Sequence, residues 1–90
     1  MVAYRIFYTK TAVKDISKIK AAKLEKKVLA LLDVIRENPY QSPPTYEKLI
    51  GDWKGLYSRR INLQHRLVYE VLEEEKAIKV ISLWSHYERL

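Results

Sequence analysis

Ser58–Tyr69 reads SRRINLQHRLVY. Strand-forming residues flank Asn62–Gln64, so two antiparallel strands joined by a tight turn are expected here. The stretch carries Arg59, Arg60, His65 and Arg66. Alternate residues of a strand face opposite sides of a sheet, and cross-strand neighbours stand about 5 Å apart, so these cations repel one another unless an anion sits among them. A phosphate is the anion that guanidinium groups match with two parallel hydrogen bonds.

The remainder of the chain is read as support for this hairpin. Its 90 residues contain no linker-like stretch and suffice for one core, so residues 1–90 are expected to be a single domain. With 48% hydrophobic residues and only two glycines and three prolines, the composition is that of a folded globule, not a disordered tail. The absence of cysteine excludes a disulfide framework and a thiolate metal site. No uninterrupted apolar run marks a signal peptide or a membrane span, so a cytoplasmic location is expected. The net charge of +6 points to an acidic partner such as nucleic acid. Seven lysines lie between Lys10 and Lys27 against Asp15 and Glu25, which makes that region a basic surface separate from the arginine cluster. The same lysines could instead be solvated helix faces.

In chain order, Tyr4–Tyr8 alternates as a strand. Thr9 or Thr11 then caps a short helix carrying Val13, Ile16 and Ile19, and a second helix is expected from about Ala21 to Glu37. Its residues Leu24, Val28, Leu31, Leu32 and Ile35 form one apolar face, and Asn38-Pro39 stops it. Pro39–Tyr46 is irregular, with Pro43-Pro44 giving a stiff, extended path. Gly51 and Gly55 flank Trp53 in a turn. Leu56–Ile61, Arg66–Leu72 and Ala77–Trp84 are expected as strands, with Glu73–Glu75 a solvated turn. Short connections imply antiparallel neighbours. The fold class is therefore α+β: a small, antiparallel-rich sheet with two N-terminal helices on one face.

If Leu67, Tyr69 and Val71 meet the helices, Arg66 faces outward, and the same alternation on the preceding strand puts Ser58, Arg60 and Asn62 opposite Tyr57, Arg59 and Ile61. Glu47, Arg66 and His86 are then the groups needed to cleave RNA through its ribose 2′-hydroxyl. They offer a carboxylate to remove the proton, a cation for the phosphorane charge and an imidazole for the leaving oxygen. Free Glu and His titrate near pH 4.3 and 6.5, roughly, which suits those roles. The route needs no metal or other cofactor, and no metal-ligand spacing is present in the sequence.

The run Glu47-Lys48-Leu49, the stretch Gly55–Asn62 (GLYSRRIN), His65–Tyr69 (HRLVY) and the near-terminal His86-Tyr87 together resemble the YoeB/Txe toxins, a branch of the RelE superfamily. The similarity extends over essentially the whole chain. It implies a ribosome-dependent messenger RNA interferase that acts in the ribosomal A site, inhibits translation and is blocked by a cognate antitoxin. Residue by residue, it implies Glu47 as general base, Arg66 as phosphate-binding arginine, His86 as general acid, Tyr87 beside the cleavage site and Arg60 as a supporting cation. Arg59 is grouped with Arg60 as a phosphate contact, and Lys14, Lys18 and Lys23 as contacts to ribosomal RNA. Oligomeric state is left open, a homodimer included. Two departures stand out. Gln64 occupies a position that is commonly acidic in these toxins, and Glu88-Arg89-Leu90 follows the His-Tyr pair at which relatives tend to stop.

Other readings of these residues are plain ones. Glu47 could pair with Lys48 or Arg60 at the surface, His65 could be a structural turn residue, and Trp53, Trp84, Tyr57 and Tyr69 could be core. Tyr87 is balanced between base stacking and catalytic support. Two competing functions remain: a non-catalytic, ParE-like toxin that binds DNA gyrase, and a nucleic-acid-binding module without chemistry.

Overall fold

A computed structural model describes residues 3–85. Five strands form one sheet: β1 (Arg5–Tyr8), β2 (Tyr46–Lys48), β3 (Leu56–Arg60), β4 (Arg66–Leu72) and β5 (Ala77–Ser85), in the order β1-β5-β4-β3-β2. β2 to β5 pair antiparallel through short turns, whereas β1 lies parallel to β5 at the edge. The α+β expectation holds, but β2 was not foreseen, because three residues are too few to show an alternation.

Thr9 caps α1 (Lys10–Ala21), its hydroxyl oxygen accepting from the Ala12 N–H at 3.1 Å. α2 (Glu25–Glu37) starts four residues later than the apolar pattern suggested. Lys23 takes a left-handed conformation (φ 59°), which ends α1 and forces a break that the helix-favouring Ala21-Ala22 conceals. Ile19 faces inward as expected, but Val13, roughly 120° further round the helix, is exposed. Ala12 and Asp15 take the buried positions instead.

Ile19, Val28, Leu31, Leu32 and Ile35 from the helices pack on Ile61, Leu67, Tyr69, Ile78, Val80 and Leu83. Both helices thus cover the same sheet face. α1 is fastened there by polar bonds as well as apolar ones. Tyr69 pairs with Val80, Val68 with Ser82 and Arg66 with Ser85, so β5 bulges twice against β4 and loses ladder partners at those points. The Thr9 hydroxyl donates to the Ile81 carbonyl at 2.7 Å, and the Leu83 N–H donates to Asp15 Oδ2 at 3.0 Å. Asp15, which in the sequence merely offsets lysines, is therefore a buried acceptor for a bulged strand.

Residues 41–45 do not run straight: the chain bends at Pro43 and Pro44, and both X–Pro bonds there are cis. The expected extended path gives way to a loop that closes around one arginine. Glu73–Glu75 is a 3₁₀ turn, but Glu73 is more than a solvated residue. Its carboxylate accepts from the Tyr4 hydroxyl (3.0 Å), the Tyr40 hydroxyl and Lys76 Nζ (3.3 Å), tying β1 and the segment after α2 to the β4–β5 turn. Among the described residues no helix is long and apolar enough to cross a membrane.

Candidate active site

The face opposite the helices gathers the polar side chains of three strands. Glu47 on β2 is the register partner of Ser58 on β3, and Arg60 on β3 is the partner of Arg66 on β4. All four therefore lie on this outer face. Arg66 NH1 stands 3.0 Å from Glu47 Oε1, with the arginine side chain 10% exposed and the carboxylate 55%. β3 lies between these two residues, and neighbouring strands are about 4.8 Å apart, so Arg66 must reach over β3 to make the contact. The residue it crosses beside is Ser58, whose small side chain leaves the passage open. Pro44, Thr45, Glu47, Ser58, Arg60 and Arg66 line a cleft of about 280 Å³.

The cation problem posed by SRRINLQHRLVY is thus solved partly within the protein. Glu47 supplies an anion for Arg66, while Arg60 is left exposed beside the pair. Among the described residues two guanidinium groups stand against one carboxylate, which makes this wall of the cleft positive and suited to one further anion.

Arg59 takes no part in this, which corrects the expectation that it contacts phosphate. The alternation of β3 turns it inward, where it is 1% exposed. Its Nε donates to the Tyr69 hydroxyl (3.1 Å), NH1 to the Pro44 carbonyl (2.6 Å), and NH2 to the carbonyls of Pro39 (3.1 Å) and Gln41 (2.8 Å). The Tyr46 ring lies 4.9 Å from its Cζ, a cation–π contact. Burial pushes the Tyr69 phenol up, against the pull of the Arg59 bond, and the phenol donates to the Pro39 carbonyl at 2.7 Å. Arg59 is the peg around which the proline loop folds.

His65 is 6% exposed and its ring stacks on Trp84 with centroids 3.8 Å apart, a structural placement in the sheet. The Asn62 side chain closes the hairpin loop by accepting from the Gln64 and His65 N–H groups at 2.8 and 2.7 Å. Tyr57 and Tyr69 stack within the core side of the sheet, 5.7 Å apart. Trp53 remains 37% exposed. Lys14, Lys18 and Lys23 are exposed on the helical layer, away from the cleft. Strand alternation put Ser58 on the face of Arg60 but gave it no role. Lys27, read in the sequence only as one of the seven lysines of the basic surface, shares with Arg60 a depression beside the Asn62–Gln64 turn. β5 ends at Ser85, the partner of Arg66, and His86 and Tyr87 lie outside the described residues. Among the described residues, no three His, Asp or Glu side chains converge as a metal site.

The fold has counterparts among known proteins. A Synechocystis protein, Toxin YoeB, is 36% identical over 67 residues, covering 74% of this chain and 76% of its own. The YoeB/ParE toxin from Agrobacterium tumefaciens superposes with a TM-score of 0.84 at 28% identity, over 92% of this chain and 99% of that one. The YoeB–YefM complex from Staphylococcus aureus contains a chain with a TM-score of 0.78 at 36% identity, over 93% and 98%. The family model described as the YoeB-like toxin of bacterial type II toxin-antitoxin systems matches residues 8–87, a span that includes every strand of the polar face, and the chain belongs to that family.

Proposed function

We propose that this toxin is a ribosome-dependent endoribonuclease that cuts messenger RNA in the A site and so stops translation in the cytoplasm. The observation that supports it is the Glu47–Arg66 pair at 3.0 Å, beside Arg60, on the wall of an open cleft. A base and two cations there lie within reach of one phosphodiester. Glu47 takes the proton of the ribose 2′-hydroxyl, whose oxygen attacks the adjacent phosphorus. Arg66 and Arg60 neutralise the charge that builds on the phosphorane oxygens. His86, assigned by the family resemblance, protonates the departing 5′-oxygen, with Tyr87 beside it. The products are a 2′,3′-cyclic phosphate and a 5′-hydroxyl. The bond between Arg66 and Glu47 gives this scheme a resting state: an incoming phosphate competes for the guanidinium, and the carboxylate is released to act as base only when substrate is present. The Staphylococcus aureus relative found with YefM supports a cognate antitoxin as the partner that holds this toxin inactive.

The test is cleavage of message on programmed ribosomes with chelator present, with mass spectrometry of the fragment ends. Cyclic or 3′-phosphate ends opposite 5′-hydroxyls are expected. Arg66→Ala should lower the single-turnover rate at saturating ribosome by about 10²-fold or more, on the order of 3 kcal/mol, with ribosome affinity little changed. Ends bearing 3′-hydroxyl and 5′-phosphate would sink this mechanism. Gyrase inhibition without RNA cleavage would move the chain to the ParE-like reading.

A further inference from the structure

Ser58 sits in the middle of the cleft wall and makes no use of its hydroxyl. The residue is 1% exposed, and its Oγ, fully buried, has no hydrogen-bond partner among the described residues. Such a group is costly, because burial strips it of water and nothing replaces the lost bond. Alanine has nearly the same size and would leave the same passage for Arg66 at a lower cost. A hydroxyl kept at this place therefore calls for a partner that arrives.

The register says which partner can arrive. Ser58 and Glu47 are directly opposite each other on β3 and β2, where Cβ atoms are separated by about 4.5–5.5 Å, so a turn of the glutamate side chain brings its carboxylate to the serine. In the resting arrangement that carboxylate is held by Arg66 instead. Resting on the function proposed above, we propose that Ser58 is a positioning residue for Glu47. When a phosphate draws Arg66 away, the Ser58 hydroxyl donates to one carboxylate oxygen and fixes its orientation, leaving the other oxygen for the 2′-hydroxyl proton. Ser58 keeps its own proton throughout, and no bond to it forms or breaks. Its oxygen is too deeply buried to meet RNA, so its effect passes through Glu47 alone.

A merely small residue and a positioning hydroxyl give opposite patterns in two variants. The full-length wild type, Ser58→Ala and Ser58→Thr are compared for thermal unfolding, ribosome affinity and single-turnover cleavage at saturating programmed ribosome. Ser58→Ala should unfold at the wild-type temperature or above, bind ribosomes normally and cleave roughly tenfold or more slowly. Ser58→Thr, which restores the donor while adding a methyl group, should recover most of that loss. If size were the only requirement, alanine would cleave like wild type and threonine would be the slower protein; either result overturns the proposal. A fall in alanine's rate that merely follows a lower unfolding temperature overturns it too. Absence of cleavage by wild type would instead remove the ribonuclease reading, and this inference with it, so the two failures are distinguishable.

Discussion

Arg59→Ala separates a structural arginine from an RNA contact more sharply than any change in the cleft. Of the four acceptors around the guanidinium, the Tyr69 hydroxyl and the Pro39 carbonyl are met in buried bonds, whereas those to Gln41 and Pro44 are part-buried, where water can replace the lost donor. Two buried bonds from a charged donor are together worth roughly 3–6 kcal/mol, and removing the cation recovers part of its desolvation cost, so a net loss of about 3–4 kcal/mol is expected. A chain of 90 residues has a total stability of roughly 5–13 kcal/mol. At about 4–8 °C per kcal/mol, Tm should drop by roughly 15–30 °C. Equilibrium unfolding in urea, with the midpoint followed at constant m, measures the loss directly. A phosphate-binding arginine would behave otherwise: Tm would hold while ribosome affinity fell and the slope of log affinity against log salt lost about one unit. A variant with wild-type Tm and that reduced slope would refute the structural assignment.

Two further outcomes are expected. The hydrogen bond from Tyr40, with smaller contributions from Tyr4 and Lys76, holds the Glu73 carboxyl below its ordinary value, so its contribution to stability is present above about pH 4.5 and is lost as pH falls through the depressed folded value. Burial, then the bond to Glu73, raises the Tyr40 phenol, and that contribution is present below pH 10 and is lost as pH rises through the folded value. Tm measured across pH should therefore fall more steeply at both extremes for wild type than for Glu73→Gln, and parallel curves would show that the cluster is energetically idle. Charge reversal at Lys14, Lys18 and Lys23, all exposed on the helical layer, should weaken ribosome binding and flatten its salt dependence while leaving the rate of the saturated complex unchanged. An unaltered slope would make those lysines a solvated face.

Much of the architecture was legible because its periodicities are long and clean. The apolar face of α2 and the alternations of β3, β4 and β5 led to the right elements and the right inward set. What stayed hidden depends on short or non-local features. The break at Lys23 is a single left-handed residue inside a helix-favouring run. β2 is too short to alternate, and its pairing with β3 is what brings Glu47 onto the cleft face. The two bulges of β5 leave no mark in composition, so Asp15 could not be told from a surface charge. In the candidate site, strand parity did identify Arg60 and Arg66 as outward, and it placed Arg59 with Tyr57 and Ile61. Treating Arg59 as a phosphate contact set that parity aside in favour of charge, and the parity was right.

The separation of Arg59 from Arg60 also shows how the core governs the cleft. Arg59 holds the carbonyls of Pro39, Gln41 and Pro44, and Pro44 and Thr45 then form one wall of the cleft before the chain enters β2 and reaches Glu47. The position of the proposed base is therefore set from beneath the sheet, by a residue that never meets solvent. Lysine cannot substitute for it, since an ammonium on a flexible stem lacks the planar fork that meets four acceptors spread over the loop and β4. The proline loop is short and internally poor in hydrogen bonds, with Gln41 Nε2 to the Pro43 carbonyl among the few it makes. Its shape thus depends on the guanidinium more than on its own sequence. Because successive side chains of a strand point to opposite faces, β3 serves the core and the cleft at once. Tyr57 and Arg59 organise the core and the loop, and Ser58 and Arg60, one position away, face the cleft that this loop shapes.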